Sequence, residues 1–329
     1  MQPFTYVRPA TLSEALVAAS KPSVQVIAGG TELLNWMRLG ITAPARIVDI
    51  SRLGELSQIT SRSDGGLRLG ALCRLNDVAQ DERVTRGYPA LSIAILKAAS
   101  AQIRNLATIG GNLLQRTRCA YFRAEEELPC NKRRPGSGCA AMEGHHERHA
   151  IFGWSDRCIA TQPSDPAVAL AALDATVIAA RRDGDRRIPV RAFHTLPGTQ
   201  PQVDHVLRPG ELITAIELGP PAPHSSYLKV RERESYEYAL VSAAVVLDLD
   251  GQRIRRARIA LGSVAHRPWR LEASEAALAG VQIGDTPAIR NAIATSFTEA
   301  RTLPGNAYKV PMAKNATERA LAMAARASA

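Results

Sequence analysis

From Gln115 to Ala160 the chain shows neither the 3.6-residue nor the two-residue apolar period, and it is crowded with Gly, Pro and charges. A loop of that length is rare inside a compact domain and needs a function or a tether. Cys119, Cys130, Cys139 and Cys158 supply one, separated by ten, eight and eighteen residues. The spacing lacks the C-x-x-C knuckle common in zinc sites. Thiolate ligation of an iron–sulfur cluster needs four cysteines gathered by the fold rather than a fixed local spacing. His145, His146 and His149 keep a mixed Cys/His zinc site open, reduced unliganded thiols are the third reading, and the histidines themselves read as solvated loop residues.

Ahead of this segment stand two paired-glycine turns. Val24 to Ala28 is a compact apolar strand closed by Gly29-Gly30, and Thr31 to Leu39 reads as a helix stopped by Gly40. Strand, double glycine and helix start together aim free amides at whatever lies over the loop, which favours a phosphate or pyrophosphate. A bare strand-to-helix turn would look the same. The second pair, Gly110-Gly111, follows Gln102-Ile103-Arg104-Asn105 and Thr108-Ile109 and precedes Asn112. Two such loops in one domain point to a dinucleotide held by both. No G-x-G-x-x-G closes a strand, so a Rossmann fold loses its support.

Composition narrows the class. With 329 residues and 46% hydrophobic content the chain can bury two cores. No apolar run approaches the roughly 18 to 20 residues of a membrane span, and Met1 to Ala10 lacks the order of a secretory signal, so no export address of its own is expected. The net charge of +10 is scattered, mostly as Arg beside acids, as in Arg231-Glu232-Arg233-Glu234, which argues against nucleic acid and suits docking on acidic partner subunits. Arg181 to Arg187 reads as a solvated hairpin tip. Five cysteines do not pair into a disulfide framework, and Cys73 reads as a buried, inert thiol.

Thr11-Leu12-Ser13-Glu14 has capping-box form and opens a helix to about Ser20. Arg46 to Ile50 reads as a strand, followed by a hairpin turning at Asp64-Gly65-Gly66 with an arm from Leu67 to Leu72. Asn76 can cap a short helix, and Pro89 can start one reaching about Ser100. Ser164-Asp165-Pro166 opens a helix to Leu173, where Asp165 either caps or accepts from ligand hydroxyls. A hairpin over 175–190 and a strand from Glu211 to Leu218 follow. Gly219-Pro220-Pro221-Ala222-Pro223 is the clearest composition break. It divides a first domain, 1–220, with the cysteine loop at about 115–160, from a smaller one, 221–329. In the latter, strands at Ser225–Arg231, Ala239–Leu249 and Arg253–Ser263, the last two joined through Asp250-Gly251, precede helices near 271–279, 286–300 and 311–327. The class is α+β, with an antiparallel three-stranded sheet and helices on one face of the second domain.

On these residues the chain resembles the FAD-binding medium subunits of the molybdenum hydroxylases, the xanthine dehydrogenase and aldehyde oxidoreductase family. The resemblance spans nearly the whole chain: Ala28-Gly29-Gly30-Thr31-Glu32-Leu33, Gln102 to Asn105 with Thr108 to Asn112, Pro163-Ser164-Asp165, Lys229 with Tyr236 to Ser242, and Gly262 to Ala265 with Pro268. Most members lack the cysteine loop. Gln115 to Cys119 with Tyr121-Phe122, then Pro129 to Lys132, Gly138-Cys139 and Cys158-Ile159-Ala160, are similar to the subgroup, including bacterial periplasmic aldehyde oxidoreductases, that carries an extra [4Fe–4S] cluster. Ala107 stands where many relatives have Gly.

The resemblance implies a two-subdomain FAD-binding domain of the vanillyl-alcohol-oxidase (PCMH) type, followed by a CO dehydrogenase flavoprotein-like domain. It implies that Gln25, Val26, Ile27, Ala28, Gly29, Gly30, Thr31, Glu32 and Leu33, with Arg104, Thr108, Gly110, Gly111 and Asn112, cradle the FAD pyrophosphate and ribityl chain. Asp165 would accept from hydroxyls, Ile213 and Lys229 would approach the flavin ring, and Cys119, Cys130, Cys139 and Cys158 would hold the cluster. No side chain is expected to act as acid, base or nucleophile. The implied role is an electron-transfer oxidoreductase subunit of a heterotrimer. One partner holds the molybdenum cofactor and oxidises an aldehyde, the other holds two [2Fe–2S] clusters, and electrons leave to an external acceptor. Co-export to the periplasm on a partner's twin-arginine signal is expected, with the cytoplasm as the alternative. Two rivals are a structural zinc-binding module of a multi-subunit complex and a self-sufficient FAD oxidase of the same fold.

Overall fold

Short apolar strands separated by capped helices form three sheets in the computed structural model, which describes residues 1–327. The first is parallel: β1 (Thr5–Val7), β2 (Val24–Ile27) and β3 (Arg46–Asp49), in the order β1-β3-β2. The helices Leu12–Ala19 and Leu33–Arg38 make the crossovers that parallel pairing requires. Thr11 caps the first of them, its Oγ1 accepting from the Glu14 amide at 3.2 Å. The Glu14 carboxylate reaches one residue beyond the cap, to the Ala10 amide at 2.8 Å. Sequence reading passes over β1, since three half-exposed residues carry too short an alternation to register.

The second sheet is antiparallel, with β4 (Ile59–Ser61), β5 (Leu67–Gly70), β6 (Thr176–Arg181), β7 (Gly184–Pro189) and β8 (Leu212–Leu218) in the order β4-β5-β8-β6-β7. The β4–β5 turn falls at Asp64-Gly66, where Gly65 takes φ +82°, a left-handed angle that a side chain would resist. Central β8 is buried at every residue. The third sheet holds β9 (Ser225–Val230), β10 (Val241–Asp250), β11 (Arg253–Gly262) and a short β12 (Trp269–Arg270), in the order β12-β11-β10-β9. The sequence predicts three strands here, and the two-residue β12 makes a fourth. Asp250 belongs to β10, paired with Arg253, so the turn is Gly251-Gln252, one residue later than expected.

The helices Pro89–Lys97 and Asp165–Ala172 lie between the second and third sheets. Their apolar side chains share one core with Leu69 of β5, Val177 of β6, Ile216 of β8 and Ala244 and Val246 of β10. Helix Asp165–Ala172 is buried at every residue, which explains its lack of a polar face. Neighbouring residues of β10 point the other way. Val241, Ala243, Val245 and Leu247 join the second core, under the C-terminal helices Thr286–Ala294 and Lys309–Arg326. A strand alternates its side chains between faces, so burial of both faces leaves β10 apolar without a break from Ala243 to Leu247. Pro89 sits in the first turn of its helix as expected, and the helix ends at Lys97 rather than Ser100. Asn76 lies inside the helix Leu75–Gln80, with Arg74 at its cap, so it is not the capping residue.

Residues 115–160 are irregular apart from the turn of helix Ala120–Arg123. Backbone bridges join Cys130 to Cys139 and Ser155 to Cys158. The C-terminal helix fastens the end of the segment. Lys309 is fully buried, and its ammonium donates to the carbonyls of Arg148, His149 and Ser263 at 3.1, 2.9 and 2.6 Å. Asn306 Nδ2 donates to Ala150 O at 3.1 Å, and the Gly305 amide donates to His146 Nε2 at 3.2 Å. Burial pushes Lys309 down to about 7, yet three carbonyls match the three donors of the ammonium form. Replacing Lys309 by Met is expected to strand three buried carbonyls and destabilise the protein by about 3 kcal/mol. Urea unfolding followed by circular dichroism measures it, and an unchanged midpoint would show that the clasp contributes nothing.

Candidate functional site

The two glycine loops meet face to face, and their contact forms the floor of a cleft of about 840 Å³. A Cβ on Gly29 would be driven into the carbonyl oxygen of Leu106, and it would stand 3.2 Å from Ala107 Cα. A Cβ on Gly110 would lie 2.9 Å from the Ala71 methyl. The glycines therefore let backbone pack against backbone, a stricter demand than approach by a ligand. Gly30 adds a left-handed turn, with φ +73°. Ala107 needs no such freedom, because its φ is negative and its methyl is accommodated.

The loops differ in what they offer a ligand. Among the described residues, the N–H groups of Ala28, Gly29, Gly30, Thr31 and Glu32 have no protein acceptor, and all five residues line the cleft. Unpaired amides at the cleft wall suit the oxygens of a diphosphate. In the second loop the amides are engaged internally: Ile109 donates to Cys73 O, Gly110 to Ala71 O, each at 2.9 Å, and Gly111 to Thr108 Oγ1 at 3.2 Å. That loop supplies shape, and its Asn112 side chain is held by Ser164 Oγ at 2.5 Å.

Gln25 to Leu33, Thr108, Gly110, Gly111, Asn112, Asp165, Ile213 and Lys229 all line this cleft. Arg104 does not. Its guanidinium turns to the carbonyl of Ala98, at 2.8 Å, behind the loop. Ser164 is the helix cap, its Oγ accepting from the Ala167 amide, so Asp165 is free of that duty. The Asp165 carboxylate instead binds the Lys229 ammonium at 2.8 Å and the Tyr227 hydroxyl. Burial pushes this carboxyl up from its ordinary range, and the Lys229 charge opposes that shift. Lys229 also donates to Lys97 O at 3.1 Å. The pair lines one side of the cleft, its two charges matched.

Behind the cleft, Cys119, Cys130, Cys139 and Cys158 line one small cavity together with Phe122, Lys132 and His149. All four are free thiols. Burial pushes Cys119 up to about 11 and Cys158 up to about 12. Backbone amides oppose the shift: those of Phe122 and Tyr121 at Cys119, of Ile159, Ala141 and Met142 at Cys139, and of Ala160 at Cys158. Amides aimed at buried sulfurs favour thiolates. Among the described residues no group of three or more His, Cys, Asp or Glu side chains is placed to hold a metal ion.

Of the three histidines expected in solvent, only His145 is exposed. His146 accepts from the Gly305 amide, and buried His149 places Nε2 3.3 Å from Cys119 Sγ, because the C-terminal helix folds over this stretch. Sequence reading also misses the charges in the wall. Glu32 is gripped by Arg118 and, at 2.9 Å, by Arg123, which flank Cys119. Arg118 lies over the Tyr238 ring at 4.6 Å, and burial lowers its guanidinium to about 10. Asp204 joins Arg116 to Lys132. No local pattern announces such pairs, since Arg116 and Asp204 are 88 residues apart.

Residues 2–221 match the FAD binding domain in molybdopterin dehydrogenase. The chain belongs to the FAD-binding subunits of the molybdenum hydroxylases. Residues 226–324 match the CO dehydrogenase flavoprotein C-terminal domain. The chain is 47% identical to the aldehyde oxidoreductase FAD-binding subunit PaoB of Escherichia coli, over 98% of this chain and 99% of that one. It is 27% identical to the glyceraldehyde dehydrogenase medium chain of Sulfolobus acidocaldarius, over 86% and 83%. Among solved structures, carbon monoxide dehydrogenase from Hydrogenophaga pseudoflava matches the full length of both chains, with a TM-score of 0.77 and 25% identity. The chain is thus an FAD-binding oxidoreductase subunit, and no helix among the described residues is long and apolar enough to cross a membrane.

For this flavin subunit, Gly29→Ala is expected to force the two loops apart and weaken FAD binding at least ten-fold, about 1.4 kcal/mol. Fluorescence titration of the deflavinated protein reads the change. Unaltered affinity would show that the floor of the cleft does not depend on this contact.

Proposed function

We propose that this chain is the electron-transfer subunit of a molybdenum-dependent aldehyde oxidoreductase, carrying FAD in the cleft and a [4Fe–4S] cluster in the cysteine cavity. The observation that carries the second half is the meeting of four cysteines, distant in sequence, around one cavity beside the flavin cleft. A single zinc ion needs ligands converging on one point at about 2.0 to 2.3 Å. The four cysteines line one cavity without converging on a single ion, and four thiolates so disposed would suit the several irons of a cluster better. The amides directed at these sulfurs and the buried Lys132 ammonium beside them favour an anionic occupant.

Bound FAD supplies exchange between one- and two-electron steps. The chain's own residues do the holding. The free amides of Ala28 to Glu32 bind the diphosphate, Gly29 and Gly110 set the width of the floor, and the Asp165–Lys229 pair fixes the far wall. No acid, base or nucleophile is required of this subunit, because substrate oxidation belongs to a partner. We place the chain in a heterotrimer, between [2Fe–2S] clusters of a small subunit and an external acceptor, with the molybdenum cofactor in a large subunit. The 47% identity to an aldehyde oxidoreductase subunit supports the substrate class. Resemblance of the cysteine segment to the exported subgroup supports a periplasmic complex, which cell fractionation would locate.

Metal and sulfide analysis of the purified complex tests the cluster. Replacing Cys139 and Cys158 together by Ser is expected to remove about four irons and four sulfides per complex while FAD remains. Stoichiometric zinc, or iron content indifferent to both cysteines, would sink the assignment.

A further inference from the structure

The cysteine cavity and the flavin cleft share a wall only a few side chains thick, and at its polar centre the buried Lys132 meets the part-buried Asp204 and Arg116. The Lys132 ammonium, its side chain 3% exposed, donates to Asp204 Oδ1 at 2.6 Å and to Pro201 O at 2.5 Å. The other oxygen of Asp204, Oδ2, accepts from Arg116 Nε at 2.7 Å. Lys132 lines the cysteine cavity, Arg116 and Asp204 line the cleft, and the Arg116 guanidinium lies 4.6 Å from the ring of Phe122, which faces the cysteines. Two lesser clasps, Glu32 with Arg118 and Arg123, cross the same wall on the cleft side.

A buried ion pair is costly unless something uses its charge, and an apolar replacement is often no less stable. Here two cations flank one anion, leaving a net positive charge in the partition between the two sites. Lys132 presents that charge to the cavity, which it lines together with Cys158. We propose that Lys132, fixed by Asp204, is a positioning residue that sets the reduction potential of a cluster held by the four cysteines, and that Asp204 couples this potential to that of the flavin. The inference rests on the cluster reading given above. A cation near a site that gains negative charge on reduction stabilises the reduced form and raises its potential. Asp204 acts with the opposite sign, and from its central position it acts on both sites.

Redox titration of the intact complex tests this, with the cluster followed by electron paramagnetic resonance and FAD by absorbance. Lys132→Met is expected to shift the cluster's oxidised-to-reduced ratio toward oxidised by about ten-fold, a potential lower by about 60 mV for one electron. Lys132→Arg keeps the charge and is expected to restore the wild-type value. Asp204→Asn is expected to raise both cluster and flavin potentials. If the variants keep their iron and sulfide while neither potential moves, the proposal is overturned. It is equally overturned if Lys132→Arg shifts the cluster as far as Lys132→Met, or if Lys132→Met and Asp204→Asn lose the cluster outright, since each outcome assigns the triad to packing alone. Absence of iron and sulfide from the wild-type subunit would instead remove the cluster reading itself.

Discussion

The packing of Gly29 against the backbone of Leu106 and Ala107, which leaves no room for a Cβ, is the constraint on which the cleft depends. Each loop is short and has little apolar surface of its own, so neither could hold a defined shape alone. Brought together without side chains between them, they place the unpaired amides of Ala28 to Glu32 along one edge of the cleft. The second loop is in turn anchored to β5 and the residues after it, through Gly110 to Ala71 and Ile109 to Cys73. The parallel sheet that carries the first loop is thereby joined to the antiparallel sheet. A ligand bound at this seam touches both subdomains at once, which suits a long cofactor better than a small one.

The cysteine segment obeys a different rule. It has no apolar periodicity and little regular hydrogen bonding, so its shape comes from fastenings supplied elsewhere. Glu32 of the first glycine loop holds Arg118 and Arg123, Asp204 holds Arg116 and Lys132, and Lys309 of the last helix holds the backbone at Arg148 and His149. Each clasp is charged and at least partly buried, so breaking one would leave an uncompensated group at high cost. The segment is thus fixed from both domains.

Local punctuation was legible in the sequence. Thr11 caps its helix, Pro89 starts one, and the glycine of Asp64-Gly65-Gly66 turns a hairpin, because each acts within three or four residues. The cleft-lining residues were legible for a related reason, since most lie in two contiguous loops whose glycines have no good substitute. Arg104 came from the resemblance alone, and in the fold its guanidinium donates to the Ala98 carbonyl rather than lining the cleft. Asn76 misled because the cap position falls two residues earlier, at Arg74. The ion pairs could not be read at all. Asp204 lies in a stretch with no motif, and only the fold brings it to Lys132, 72 residues away.

Charge placement follows from this division of labour. The chain carries ten more cations than anions, yet the cations nearest the two sites are not free surface charges. Lys229 is matched by Asp165, Arg118 and Arg123 share Glu32, and Arg116 and Lys132 share Asp204. In the last two groups two cations meet one anion, so each carries a residual positive charge inside a poorly screened wall. Salt screens exposed charges beyond about 8 to 10 Å, but a buried excess keeps its field. Such a field reaches the free amides of Ala28 to Glu32 on one side of the wall and the thiols on the other. Anions on either side are therefore favoured by the same few residues.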